Sequence, residues 1–304
     1  MQIEIRSLSK TYKGGVQALQ NIDLQIHSGM FGLLGPNGAG KSTLMKILST
    51  LEEPSTGQVL IDGHDIRKHR QKVRQSLGYL PQFFGVYPQL TGAEFLAYIA
   101  RINGVAGKNI DKIVLETLQR VGLAEARDRK AKTYSGGMLR RLGIAQAVVH
   151  QPRLLIVDEP TTGLDPEERI RFRNLLSDIS RDKIIILSTH IVGDISSTCE
   201  DLAVLAKGQV VYNGRPDTLI SHADGKVWQV QIDEADFSKV ADKMQVISTI
   251  NLGSQLLLRV VGDERANGYK MEAVAPNLED AYMYYMESVA GERVDEDKLA
   301  EATA

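Results

Sequence analysis

The chain has 304 residues, 43% hydrophobic and 24% charged, with 36 basic against 38 acidic side chains and a net charge of −2. That length suggests two domains, and the composition excludes a disordered, collagen-like or low-complexity protein. A protein that grips nucleic acid mainly through its field is more basic, so no nucleic-acid partner is expected.

Apolar runs such as Leu154 to Val157 and Ile184 to Leu187 fall far short of the ~20 residues of a spanning helix. The single cysteine, Cys199, has no intrachain partner for a disulfide. Met1 leads straight into Ile3, Ile5 and Leu8, without the charged stretch and apolar core of a secretory signal, so a cytosolic chain is expected.

In chain order, Ile3 and Ile5 alternate with polar neighbours, as do Ile22, Leu24 and Ile26, which is strand spacing. Met30 to Leu34 reads as a short buried strand ending at Gly35. From 64 to 132 the texture turns helical: Phe95, Ile99 and Ile102 fall on one face, and Ile113, Leu115, Leu118 and Val121 on another. A helix carrying Met138, Leu142, Ala145 and Val149 ends before Pro152. The runs 154–158 and 184–188 then flank an amphipathic helix with Ile170, Leu175, Leu176 and Ile179. Strand, helix, strand implies a parallel sheet with crossover helices. The sequence loosens at 215–226, a domain boundary, before a small α+β module whose last helix is capped by Asn277.

Three stretches carry chemistry. Gly35-Pro36-Asn37-Gly38-Ala39-Gly40-Lys41-Ser42-Thr43 fits G-x-x-x-x-G-K-[ST] between a strand and a helix. Its glycines let successive N–H groups face phosphate oxygens, and the helix N-terminus adds positive potential. Lys41 supplies a full charge to the β- and γ-phosphates, and the Ser42 hydroxyl is a ligand for Mg²⁺. The strand 154–158 delivers Asp158 and Glu159 to the same sheet edge, the first placed to hold Mg²⁺ and the second to act as general base. Ser135-Gly136-Gly137 opens a further helix, 94 residues after Lys41 and 23 before Asp158. Alone it reads as a capped helix start; in this position it reads as a second anion cradle.

On these residues the chain resembles the ATP-binding subunits of ABC transporters, over about residues 1–215. The resemblance implies an α/β P-loop NTPase with a mixed sheet and a helical subdomain at about 83–150. A small α+β module at 226–290 and a flexible tail at 291–304 would follow. Residues 35–43 match Walker A, 134–138 the family signature, and Asp158 and Glu159 Walker B and the catalytic glutamate. By the same resemblance Tyr12 stacks on adenine and Gln82 contacts Mg²⁺ or the attacking water. Asp165, in Gly163-Leu164-Asp165, belongs to the D-loop, and His190 is the switch histidine. Tyr134 and Met138 depart from the usual Leu-Ser-Gly-Gly-Gln.

The implied activity is ATP hydrolysis with ATP and Mg²⁺, in a head-to-tail pair with Ser135-Gly136-Gly137 acting on the other chain's nucleotide. The implied partners are a second ATP-binding subunit, in a homodimer, and integral membrane permease subunits that hold the chain on the cytoplasmic face of the membrane. Phe83, Phe84 and Tyr87, just after Gln82, are expected to line a groove for a permease helix. The run Pro276 to Met283 resembles the tail of daunorubicin-resistance-type exporter subunits, and equally fits an ordinary capped amphipathic helix. Two other readings compete: a soluble ABC-type ATPase of translation or DNA repair, and a P-loop kinase or GTPase. The first lacks its usual second cassette or long coiled coil; the second makes Ser135-Gly136-Gly137 and His190 coincidences.

Overall fold

Two β-sheets share one hydrophobic layer in the first two thirds of the chain. The structure is a computed structural model and describes residues 1–263, 268–288 and 291. Apart from Gly291, the tail expected at 291–304 lies outside the described residues.

Strands β1 (Gln2–Thr11) and β2 (Gln17–His27) form an antiparallel pair. The alternation of Ile3 and Ile5 is resumed at Leu8 rather than residue 7, because the ladder shifts register there and Ser7 takes a φ of 46°. After β3 (Gly29–Leu34) comes helix α1 (Lys41–Leu48), then β4 (Thr56–Ile61) and the short β5 (His64–Asp65). The antiparallel sheet runs β2-β1-β4-β5.

Next come α2 (Arg70–Gln75) and β6 (Leu77–Leu80), a strand inside the stretch expected to be helical. Helices α3 (Gly92–Ile102), α4 (Ile110–Arg120) and α5 (Gly136–Val148) follow. On α4 the buried residues are Ile110, Val114, Thr117 and Leu118; of the expected stripe, Leu118 and Val121 are buried, while Ile113 and Leu115 are only partly so. Ile102 on α3 is likewise 63% exposed. The chain continues through β7 (Leu154–Asp158), α6 (Pro166–Ile179), β8 (Ile184–Thr189), α7 (Val192–Ser196), β9 (Asp201–Ala206) and β10 (Gln209–Gly214).

The second sheet runs β10-β9-β3-β8-β7-β6, parallel except for the β9–β10 pair. Its apolar runs are continuous because both faces are covered. Met30, Leu34, Leu155, Val157, Ile185 and Leu187 face the helical layer. Phe31, Leu33, Leu154, Ile156, Ile184 and Ile186 face α1 and the antiparallel sheet. Among the described residues, no helix is long and apolar enough to cross a membrane.

The loosened stretch after 215 is helix α8 (Pro216–Ser221), with Leu219 fully buried. Beyond it lie β11 (Val227–Asp233), α9 (Phe237–Ala241), β12 (Gln245–Asn251), β13 (Gln255–Val261), β14 (Met271–Ala273) and α10 (Leu278–Ser288). The four strands make an antiparallel sheet, β12-β13-β11-β14, with its own core of Trp228, Val230, Ile232 and Leu258. Helix α10 behaves differently: Leu278, Ala281, Tyr282, Met283 and Met286 are buried in the same core as the helical layer of the larger sheet. It packs on α7 and α8, and Tyr285 Oη donates to the Val211 carbonyl at 2.9 Å. Asn277 and Asp280 cap it reciprocally, each backbone N–H donating to the other's side chain.

Candidate active site

Four neighbouring parallel strands end at one edge, and each delivers part of the site. Register pairs Leu34 with Thr189, Asp158 with Ser188, and Leu80 with Val157. The residues following β3, β7, β8 and β6 therefore converge, as crevices at the carboxyl ends of open α/β sheets do. They line a cavity of about 300 Å³, formed by residues 36–43 with Ala18, Gln82, Glu159, Thr162 and His190.

The glycine loop turns at Gly40, whose φ of 105° starts helix α1. A Cβ there would lie 2.6 Å from the Ala18 carbonyl oxygen, so backbone conformation and close approach both require glycine. Lys41 is buried and its Nζ donates to the carbonyls of Gly35 at 2.6 Å and Pro36 at 3.2 Å. Glu159 Oε1 stands 3.4 Å from the same ammonium. Burial pulls the Lys41 pKa below its ordinary value, against the opposing pull of Glu159 and Asp158.

Asp158 Oδ1 accepts from Ser188 Oγ at 2.5 Å and faces Ser42 Oγ at 3.5 Å. Glu159 has a φ of 46°, a left-handed backbone unusual for a side chain of this size. Its N–H donates to the Ser188 carbonyl at 3.0 Å, which holds that conformation from one side. Its carboxylate meets His190 Nδ1 at 2.7 Å and Thr162 Oγ1 at 3.5 Å. Burial works to raise the Glu159 pKa, but the His190 hydrogen bond and the Lys41 charge prevail and hold it below the usual carboxylate value. A carboxylate only accepts, so His190 Nδ1 carries the proton of that bond. His190 Nε2, in a residue of the cavity lining, is buried without a hydrogen-bond partner among the described residues.

Tyr12 stands beside the cavity rather than in its lining: Oη donates to Glu52 at 2.7 Å and lies 3.3 Å from Thr43 Oγ1. Ser135, Gly136 and Gly137 line a second cavity, of about 630 Å³, with Phe83, Phe84, Asp165 and Glu168. Gln82 and Thr162 border both. Ser135 caps α5, accepting from Met138 N–H at 3.2 Å, and Asp165 caps α6, accepting from Glu168 N–H at 2.8 Å. Within one chain, then, the Ser-Gly-Gly helix start and the glycine loop do not face a common cavity.

Sequence reasoning passed over several neighbours of these residues. Ser188 buttresses Asp158 and the Glu159 backbone. Thr161 Oγ1 donates to the buried Asp194 at 2.5 Å, joining the turn after β7 to α7. Arg140 binds three backbone carbonyls, those of Gln82, Glu159 and Pro160. Their only sequence signal is adjacency to a motif; the partners lie 19 to 58 residues away.

The cavity suits a triphosphate with Mg²⁺. It offers N–H groups at a helix N-terminus and a buried ammonium. Ser42 and Asp158 are the hard oxygen donors Mg²⁺ takes. No group of three or more metal-ligating His, Cys, Asp or Glu side chains occurs among the described residues.

Comparison with known proteins agrees. The family model described as "ABC transporter" matches residues 19–162. The daunorubicin/doxorubicin resistance ATP-binding protein DrrA of Streptomyces peucetius is 36% identical over 248 residues, 80% of this chain and 74% of that protein. Nod factor export ATP-binding protein I of Cupriavidus metallidurans is 36% identical over 237 residues, 77% of this chain and 78% of that one. Among solved structures, a dimeric ATP-binding cassette in a post-hydrolysis state with ADP and Pi superposes with a TM-score of 0.64 at 27% identity, covering 70% of this chain and 98% of its own. The kinase and GTPase reading falls with these matches. Geometry and relatives together place the chain in the family of ABC transporter ATP-binding subunits, ATPases that use ATP with Mg²⁺.

Proposed function

We propose that two copies of this chain close head to tail on two ATP molecules and drive export of a substrate through separate membrane subunits. Each ATP lies in one copy's cavity at residues 35–43 and is covered by Ser135, Gly136 and Gly137 of the other. The observation that carries this reading is the separation of those motifs into two cavities of one chain, each with half of an anion site. The dimeric cassette with bound ADP and Pi supports a paired state, and the drug-resistance and Nod factor relatives support export.

In this reading the loop N–H groups and Lys41 hold the β- and γ-phosphates, releasing Lys41 from the Gly35 and Pro36 carbonyls. Ser42 and Asp158 would hold Mg²⁺, with Gln82 as a further ligand, and the ion would supply charge neutralisation at the phosphate oxygens. Glu159, ionised, takes a proton from water as that oxygen bonds to the γ-phosphorus and the bond to ADP breaks. His190 orients the Glu159 carboxylate through Nδ1–H and, with a second proton on Nε2, donates from Nε2–H to the γ-phosphate. Asp165 and its helix cap shape the rim, and Tyr12 offers a ring to the adenine. ATP thus binds the closed pair better than the open one, and its loss reopens the pair.

The chain works at the cytoplasmic face of the membrane, held by a permease. Phe83 and Tyr87, 85% and 54% exposed, supply anchors for a permease helix. Phe84 is half-buried: a Cβ on Gly143 would meet its ring at 2.4 Å, so its tip packs onto α5 while the residue lines the second cavity beside Phe83. Phe83→Ala is therefore the substitution that tests docking.

The dimer is tested by sedimentation with Mg·ATP. Glu159→Gln should run as a dimer, and Glu159→Gln combined with Gly136→Ala as a monomer that still binds ATP. Gly136 has open space around its Cβ position and an ordinary helical backbone, so the alanine is silent within its own chain. ATP-loaded Glu159→Gln that sediments only as a monomer defeats the homodimer.

A further inference from the structure

The arginines after Ser135-Gly136-Gly137 differ in their surroundings. Arg141 pairs with Glu168 at 3.0 Å. Among the described residues Arg140 has no acidic partner at its fork; it spends its donors on backbone. Nε donates to the Pro160 carbonyl at 2.7 Å, Nη1 to Gln82 at 2.9 Å and Nη2 to Glu159 at 2.6 Å. The guanidinium also lies 6.0 Å from the Phe84 ring centroid. One planar fork thus joins three segments: the start of α5, the loop after β6 and the turn after β7.

Two of those carbonyls belong to the residue whose conformation matters most and to the one that follows it. Glu159 sits at a φ of 46°, a backbone state that costs about 1–3 kcal/mol and persists only where its surroundings over-determine it. Ser188 secures its N–H and Arg140 its C=O. Removing the guanidinium leaves the Glu159 and Pro160 carbonyls without this donor and frees the peptide between them to turn. The carboxylate, carried on the same Cα, then leaves its place between Lys41 and His190. The Gln82 carbonyl brings the loop into the helical layer under the same control.

We infer that Arg140 is a positioning residue for ATP hydrolysis: its fork locks the backbone of Glu159 in the conformation that aims the carboxylate, and ties that conformation to the positions of Gln82 and of the Ser135-Gly136-Gly137 helix. The inference rests on the proposed role of Glu159 as the base. Burial draws the Arg140 pKa down to about 10, opposed by Asp158 and Glu159, so the group stays charged at neutral pH while deeply desolvated. Lysine is no substitute, because one ammonium on a flexible stem cannot reproduce three donors in a fixed plane.

The test uses the full chain, with ATPase turnover and binding of a fluorescent ATP analogue measured side by side. Arg140→Ala should lower kcat by about ten- to hundred-fold, the scale of a displacement of the reacting group by about 1 Å, while KM and analogue affinity stay within about two-fold. Millimolar methylguanidinium should restore part of the Arg140→Ala turnover and none of the Glu159→Gln turnover. Arg140→Lys, which keeps charge and bulk and so guards against misfolding, should remain impaired. The inference is overturned if Arg140→Lys turns over like the parent, or if Arg140→Ala loses ATP affinity in step with kcat and methylguanidinium restores nothing. Unimpaired hydrolysis by Glu159→Gln would refute the base assignment itself and take the Arg140 role with it.

Discussion

Gly40→Ala isolates what the phosphate loop demands of its backbone. At a φ of 105° an L-residue bears about 1–3 kcal/mol of strain. Its new methyl would also sit 2.6 Å from the Ala18 carbonyl oxygen and 2.9 Å from Leu19 Cδ2, an overpacking cost of about 1–3 kcal/mol because a backbone atom cannot swing aside. Gly38 is the matched control: its φ of 83° is strained for alanine, but nothing lies within 4 Å of the added carbon. Only the backbone term of about 1–2 kcal/mol then applies. At about 2–4 °C per kcal/mol, Gly40→Ala should lower Tm by roughly 5–20 °C and Gly38→Ala by roughly 2–8 °C. Relief of the Gly40 clash requires lifting the first turn of α1, so ATP binding should fall by about ten-fold or more, the loss of one charge-assisted hydrogen bond or more. Differential scanning fluorimetry with and without Mg·ATP reads both quantities. Equal losses of Tm in the two variants, or a Gly40→Ala protein that melts and binds like the parent, would show that this contact does not govern the loop.

Three further outcomes are expected. Tyr134→Phe, which removes the buried donor to the Ala126 carbonyl at 2.8 Å, should cost about 1–3 kcal/mol in denaturant unfolding and leave ATP affinity unchanged. His150 donates from Nε2 to the Leu77 carbonyl at 3.0 Å, while its buried Nδ1 has no partner among the described residues, and burial draws its pKa below the ordinary histidine value. The unfolded chain therefore takes up this proton first, so stability should fall as pH drops below about 6.5 and level off beneath the depressed pKa. His150→Gln should flatten that part of a Tm-against-pH curve. Arg259 meets the fully buried Asp280 through Nε at 2.7 Å and Nη2 at 2.6 Å, so Arg259→Ala should destabilise the chain by about 3 kcal/mol by leaving that carboxylate unpaired. Arg259→Lys, which keeps the charge, should lose less.

Where the chemistry sits in one short window, the amino-acid order alone announced it. Residues 35–43 carry their glycines, ammonium and hydroxyl within one turn and one helix start, and Asp158 and Glu159 leave a strand together. Fold class followed because continuous apolar runs at 154–158 and 184–188 demand cover on both faces, which parallel strands with crossover helices provide. Periodicity did less well at choosing faces. Ile102 and Ile170 fit a helical stripe yet are 63% and 50% exposed, while Phe172 is buried. A stripe names two or three candidate faces, and only the neighbour that packs there selects one.

The remaining decisions needed contacts between distant residues. Strand β6 is four residues long and exists through pairing with β7. Phe84 turns inward because α5 has a glycine opposite it, and α10 joins the larger core because α7 and α8 offer it an apolar face. The left-handed Glu159 and the three carbonyls on Arg140 depend on partners up to 58 residues away. Local order specifies which groups are available and the conformations they tolerate; burial and hydrogen-bond completion, which are properties of the assembled fold, decide which of those conformations is occupied.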